Sequence, residues 1–228
     1  MKLSVSMITF QGAAYLKAQM DSILGQSLPV HEIIVCDDGS TDGTREILAD
    51  YAAAHPQIKL QFNTENLGTV ANMQQCLRLS TGDIIFLADQ DDVWLPNKVE
   101  KTLAFFEQHP TAEAVFSNAE IIDEVGETQF GMTLWDIIGF PFGKVELTDF
   151  ETRVDNVVTG AGLAMKRDTK LLAMDIPVLP GLLHDGWIGL YFAAKNALKA
   201  NPETLFQYRS HANQQVGGKI AERSQLLD

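Results

Sequence analysis

This chain of 228 residues lacks the features that would place it in several common functional classes. It has two cysteines, Cys36 and Cys76, without the spacing of a metal-ligand pair. Buried free thiols in a reducing compartment are expected, rather than a disulfide or a thiolate site. No apolar run approaches the ~20 residues of a transmembrane helix. After Lys2 the chain alternates serine with apolar residues, unlike the continuous apolar block of a secretion signal. The expected location is the cytoplasm, with at most peripheral association at the inner face of the plasma membrane. Basic residues are scarce, 17 against 30 acidic ones, for a formal net charge of −13. That balance argues against wholesale binding to nucleic acid or anionic lipid, although a local basic pocket stays compatible with it. Internal repeats and low-complexity segments are missing too. The absence of G-x-x-x-x-G-K-[ST] removes the P-loop NTPases. Gly160-Ala161-Gly162 lacks the third glycine of a dinucleotide fingerprint and comes late in the chain.

What is present is an ordinary globular composition, 46% hydrophobic, long enough for one substantial core. Leu3–Phe10 alternates as a strand should, and Leu16, Met20, Ile23 and Leu24 recur at helical spacing. Strands at 32–36, 58–62, 84–87 and 114–117 follow, separated by helical patterns with Asp42 as a candidate N-cap. Residues 119–150 show no clear periodicity and read as a long functional loop. A short strand after Gly162, a helix over about 187–197 and a last strand at 203–208 complete the pattern. Alternating strands and helices predict an α/β fold with a mostly parallel sheet and helices on both faces. A single domain over 1–228 is expected, with a nucleotide half (1–118) and an acceptor half (119–228). Ligands in such sheets sit at the carboxyl ends of the strands.

Two acidic clusters fall at those ends. Asp83-Ile-Ile-Phe-Leu-Ala-Asp89-Gln90-Asp91-Asp92-Val93-Trp94 runs a buried strand into crowded carboxylates. Like charges this close raise one another's pKa, and a bound cation is the usual relief. An all-oxygen site suits Mg²⁺, Mn²⁺ or Ca²⁺. The second cluster, Asp37-Asp38-Gly39-Ser40-Thr41-Asp42-Gly43, approaches a calcium loop. It has Ala49 where the twelfth-position Glu should stand and follows a strand instead of a helix, so that assignment fails. A strand-to-helix turn and a carboxylate site for a nucleoside base or ribose both fit it. Gly160 and Gly162 fit a tight turn and a backbone lying close to a sugar equally well. Asp185 fits a helix N-cap, which does not exclude a catalytic role. His211 reads as a surface residue by default, although its imidazole could complete a carboxylate metal site. Trp94 reads as a core anchor.

Together, Thr9-Phe10, Cys36 through Thr44, Glu65-Asn66-Leu67-Gly68, Asp89 through Trp94, Thr159 through Gly162, His184-Asp185 and Tyr208-Arg209-Ser210-His211 resemble the family 2 glycosyltransferases of the GT-A fold. The versions here look most like bacterial rhamnosyl- and related transferases that build surface polysaccharides. The resemblance implies a nucleotide-diphosphate sugar donor, a glycan or lipid-linked acceptor and a Mg²⁺ or Mn²⁺ cofactor. It implies a nucleoside pocket lined by Thr9 and Asp38, with Asp37 beside them and Asp89 facing the ribose and donor sugar. Asp91 would ligate the metal with help from His211, and Asp185 would be the general base of an inverting transfer. Many members carry Glu-Asp where this chain has His184-Asp185, which leaves His184 without an inherited role. The Gln-x-x-Arg-Trp motif of processive synthases is absent, which favours single additions. A sugar-nucleotide pyrophosphorylase would need a basic glycine-rich loop after the first strand, where Gln11-Gly12-Ala13-Ala14 stands instead. A non-catalytic sugar- or nucleotide-binding module of the same fold is the other alternative.

Overall fold

A computed structural model describes residues 1–140, 142–143, 157–212 and 214. Four strands, β1 (Leu3–Thr9), β2 (Glu32–Asp37), β3 (Ile58–Phe62) and β4 (Ile84–Ala88), pair in parallel in the order β3-β2-β1-β4. Beyond β4 the sheet continues through β8 (Leu163–Lys166), β6 (Ala114–Ile122), β9 (Leu198–Arg209) and β5 (Val93–Trp94). β7 (Thr128–Thr133) pairs antiparallel to β6. The long β6–β9 ladder is parallel, whereas β8 and β5 pair antiparallel with their neighbours over short stretches. The result is a mixed α/β fold around a mostly parallel central sheet.

Period-two alternation sorts the strands' side chains into two cores, one on each face. Val5, Met7, Ile33, Val35, Phe86 and Ala88 face a core closed by α1 (Leu16–Leu24), α2 (Thr44–Ala54) and α4 (Lys98–Gln108). Ile34, Cys36, Ile85 and Leu87 face the other, closed by α3 (Thr69–Leu79) and α7 (His184–Ala194). Two short helices, α5 (Leu134–Ile138) and α6 (Thr169–Ala173), complete the set used below.

The polar positions of β1 are buried rather than solvated. Ser4 donates to Glu32 at 2.6 Å, and the Ser6 and Ser80 hydroxyls are 2.7 Å apart. β1 lies inside the sheet, so its small serines meet protein on both faces instead of water. Cys36 and Cys76 are free and buried, as expected, with the Cys76 thiol donating to Ile34 O at 3.3 Å and to Met7 O at 3.4 Å. Trp94 is 2% exposed and packs on Phe86 at 5.8 Å between ring centroids.

Several element boundaries differ from expectation. The stretch from 119 is not one loop: β6 continues to Ile122, turns at Asp123–Gly126 and returns as β7 into α5. Asp123 holds that turn by accepting from the Val125 and Glu127 amides, and Gly126 takes φ 93°. Residues 141 and 144–150 of the stretch lie outside the described residues. Asp42 is not the cap itself, because Gly43, with φ 97°, occupies that position. Asp42 reaches past it to accept from the Thr44 amide at 3.1 Å and hydroxyl at 2.6 Å. α7 begins at His184, three residues earlier than its periodicity suggests, and β9 already begins at Leu198. The division expected at 118/119 falls inside β6, where the β6–β9 register shifts.

Candidate active site

Thr9 and Asp37 end adjacent parallel strands and lie side by side in the ladder. The Thr9 hydroxyl donates to Asp37 Oδ1 at 3.0 Å. Asp37 also accepts from the Ser40 amide and hydroxyl and from Arg45 Nε at 2.6 Å. Burial pushes its pKa up, but hydrogen bonds from Ser40, Arg45 and Thr9 outweigh burial and hold it below the carboxylate range. Asp38 is buried as well. It accepts from Asn63 Nδ2 at 2.9 Å and from the Leu67 and Gly68 amides at 2.8 Å. Thus it folds the Glu65–Gly68 turn over the end of β2. Phe10, Phe62 and Leu67 remain exposed around these strand ends.

Asp89, Asp91 and Asp92 follow β4 in a loop fastened from several sides. Gln19 donates to Asp89 O at 2.8 Å, and Gln90 brackets the backbone of Phe10 with both amide atoms. Gly12 lets the Gln90 amide lie close, since a Cβ would be 2.1 Å from Gln90 Oε1 and would push that side chain aside. Arg209, at the end of β9, is 5% exposed and acts as a strut. Its amide donates to Asp92 Oδ1, its Nε to Asp91 O and its Nη1 to Asp123 O, all at 2.8–2.9 Å. His211 is therefore carried into the acid cluster, not left on the surface. Its Nε2 is 2.9 Å from Asp91 Oδ2, and its ring leans on Tyr15 at 4.7 Å.

Beneath the cluster lies Lys98, 1% exposed, whose ammonium donates to Ala161 O. It sits 4.4 Å from the Trp94 ring centroid and 4.5 Å from that of Phe206. Burial pulls its pKa down to about 7, with Asp92 and Asp89 acting the other way. Asp89 is pushed up to about 7 by burial and then by the charges of Asp91 and Asp185. Asp92 is pushed up by burial, Asp91 and Asp89. The fold crowds more carboxyl groups here than one buried lysine can keep ionised.

Asp185 comes from the other half. It is the second residue of α7, and Leu183 holds the cap position, so capping is not its role. Its Oδ2 accepts from the Gly160 amide at 3.0 Å and its Oδ1 from the Gly186 amide at 2.7 Å. Each oxygen keeps a free lone pair. A Cβ on Gly160 would lie 3.5 Å from Asp89 Oδ2 and 3.8 Å from Asp185 Cβ, so the two acids flank one point.

Among the described residues, no group of three or more His, Cys, Asp or Glu side chains is arranged to hold a metal ion. Asp91 and His211 nevertheless fit two adjacent positions of an octahedral ion, because ligands about 2.1 Å from such an ion sit about 3 Å apart. Mg²⁺-type sites commonly take one or two protein ligands and complete the shell with substrate phosphates and water.

Sequence reasoning missed Lys98 and the strut role of Arg209. Lys98 shares a helix face with the buried Thr102 and Phe106, and a lysine on that stripe is the signal that could have exposed it. Nothing local marks Arg209, whose partners are distant in sequence.

Known proteins similar to this chain identify its family. EpsE of Bacillus subtilis (strain 168), itself a glycosyltransferase by description only, is 40% identical over 126 residues, covering 55% of this chain and 45% of EpsE. The chain spans about half the length of the curated relatives it matches. The structure of S. aureus TarS 1-349 in complex with UDP-GlcNAc superposes with a TM-score of 0.73 at 18% identity, over 100% of this chain and 65% of that one. The mannosyltransferase PcManGT from Pyrobaculum calidifontis, in complex with GDP-Man and Mn²⁺, gives 0.64 at 19% identity, over 98% and 60%. These two show a shared GT-A fold. The family model described as "Glycosyl transferase family 2" matches residues 4–169, well over half the chain and every strand from β1 to β8. With strand ends, acid loop and Asp185 arranged as described, the chain belongs to glycosyl transferase family 2.

Proposed function

We propose that this protein is a metal-dependent inverting glycosyltransferase of bacterial polysaccharide synthesis. It moves a sugar from a nucleotide-diphosphate donor to a hydroxyl of a glycan or lipid-linked acceptor. The observation that carries the proposal is the convergence of Asp89 and Asp185 on Gly160, beside the Asp91–His211 pair. An acid from the donor half and an acid from α7 thereby face one small volume. The similar folds of TarS, solved with UDP-GlcNAc, and PcManGT, solved with GDP-Man and Mn²⁺, support a nucleotide-sugar donor.

In this proposal Thr9 and Asp37 build the floor of the nucleoside pocket, and Asp38 shapes its wall through the Glu65–Gly68 turn. Asp37 already accepts four hydrogen bonds, so its contribution is to hold the pocket rather than to grip the base. Asp89 faces the ribose and donor sugar. Asp91 and His211 hold Mg²⁺ or Mn²⁺, which when bound offsets the charge of the departing diphosphate. Asp185 accepts the proton of the acceptor hydroxyl with a lone pair left free by Gly160 and Gly186. Those two amides also fix the carboxylate's direction.

The test is a transfer and hydrolysis assay over a panel of nucleotide sugars with Mn²⁺, for wild type and Asp185→Asn. Turnover that requires Asp185 supports the proposal. Nucleotide-sugar binding without any turnover would instead favour a binding module of the same fold.

A further inference from the structure

We propose that His184, together with the side of Gly160 that faces it, forms a subsite that hydrogen-bonds a hydroxyl of the transferred sugar. This inference rests on the glycosyltransferase reading above. His184 opens α7 and is 3% exposed. Among the described residues, neither of its ring nitrogens has a hydrogen-bond partner. Buried polar groups are nearly always satisfied, and one left unpaired costs about 1–3 kcal/mol. Two unpaired nitrogens on one buried ring mark a place where the partner arrives with a ligand.

The adjoining space has a definite shape. A Cβ on Gly160 would lie 3.2 Å from His184 Nε2 and 3.5 Å from Asp89 Oδ2. Gly160 is not among the glycines with positive φ, so its backbone does not require glycine. What glycine supplies here is the absence of a methyl that would press on the imidazole and lie against the carboxylate. Its amide meanwhile holds Asp185, so the space opens beside the proposed base.

Chemistry selects the occupant. Burial holds the His184 imidazole below its ordinary pKa, so at neutral pH it carries one N–H donor and one bare acceptor nitrogen. Asp89 and Asp185 line this point and the Gly160 amide is already taken by Asp185, so a phosphate would find carboxyls here in place of donors. No three-ligand metal group exists among the described residues. A sugar hydroxyl both donates and accepts, and satisfies the imidazole and the Asp89 carboxylate together. Asp89 follows β4 on the donor side of the cleft, so the hydroxyl is assigned to the donor's sugar rather than to the acceptor.

The experiment measures affinity by calorimetry with Mn²⁺ and no acceptor. UDP-glucose, UDP-GlcNAc, GDP-mannose and dTDP-rhamnose are each compared with the matching bare diphosphate. The proteins are wild type, His184→Leu, His184→Gln and Gly160→Ala. Wild type should bind one nucleotide sugar more tightly than its diphosphate. His184→Leu and Gly160→Ala should each erase about 10-fold of that advantage, the worth of one to two neutral hydrogen bonds, while leaving diphosphate affinity unchanged. His184→Gln retains a donor and an acceptor and should restore part of it. Gly160→Ala keeps the imidazole and the helix start, so it decides the matter if His184→Leu does not fold. The subsite is overturned if the sugar-dependent advantage is absent or survives both substitutions, if diphosphate affinity falls equally, or if an effect emerges only on adding acceptor. If wild type binds neither diphosphates nor nucleotide sugars, the glycosyltransferase proposal falls along with it.

Discussion

His211 Nε2 stands 2.9 Å from Asp91 Oδ2, although 120 positions separate the two residues in the chain. The contact exists because β9 ends beside the acid loop and Arg209 ties the two backbones together. If this pair holds the metal, nucleoside diphosphate should bind at least about 10-fold more tightly with Mn²⁺ than with EDTA, a factor of ten being about 1.4 kcal/mol. Asp91→Ala should remove the difference and His211→Ala should reduce it. Calorimetric titration in the two buffers checks both.

Asp185→Asn should lower turnover about 10²–10⁴-fold while leaving nucleotide affinity nearly intact. The amide keeps one oxygen for the Gly160 or Gly186 N–H but loses the other acceptor. Stability should therefore fall by about 1 kcal/mol, the ordinary worth of one hydrogen bond. Parallel kinetics, calorimetry and urea unfolding separate the three effects.

Asp38→Ala should release the Glu65–Gly68 turn and weaken nucleoside diphosphate binding about 10-fold, since hydrogen bonds to a charged group are worth about 1.5–3 kcal/mol. The loss should be present without any sugar on the diphosphate. Titration with UDP and GDP would show it, and unchanged affinities would reduce Asp38 to a folding role.

Lys98→Met should destabilise the protein by about 1–3 kcal/mol, because it removes a buried hydrogen-bond donor together with the positive group that faces Asp92 and Asp89. It also frees Ala161 O, next to the Gly160 backbone that positions Asp185. Denaturant unfolding measures the first effect, and a fall in turnover with near-constant diphosphate affinity would report the second.

Glu32 supplies the pH dependence. Its carboxylate is buried and accepts from Ser4, the Thr81 amide and hydroxyl, Lys59 and Lys2. Burial pushes its pKa up, but these partners outweigh burial and hold it well below its ordinary 4.5. A depressed carboxylate contributes stability that is present above the unfolded pKa and lost as pH falls toward the folded one. Glu32→Gln should therefore be less stable than wild type by about 1–3 kcal/mol at pH 7. The gap should narrow below pH 4.5, as thermal unfolding across a pH series would show.

The parts written in local pattern were readable in the chain alone. Short, largely apolar runs such as Glu32–Asp37 and Ile84–Ala88 place buried strands because strand propensity and β-branching act over a few residues. Those strands end in acids, and ligands in such sheets gather at strand ends, so Asp37, Asp38, Asp89 and Asp91 were visible as candidates. Long-range placement was not. The hairpin of β6 and β7 depends on a turn closed by one aspartate and one glycine inside an irregular stretch. The burial of His211 depends on Arg209 meeting carbonyls from 85 to 118 positions away. The position of the buried His184 imidazole against Gly160, 24 positions earlier in the chain, is likewise invisible to local pattern. Sequence determined which residues carry charge and where strands stop, because those are properties of single residues and short windows. Only the tertiary structure decided which charges meet, because that is set by how β8, β9 and α7 fold back across the first four strands.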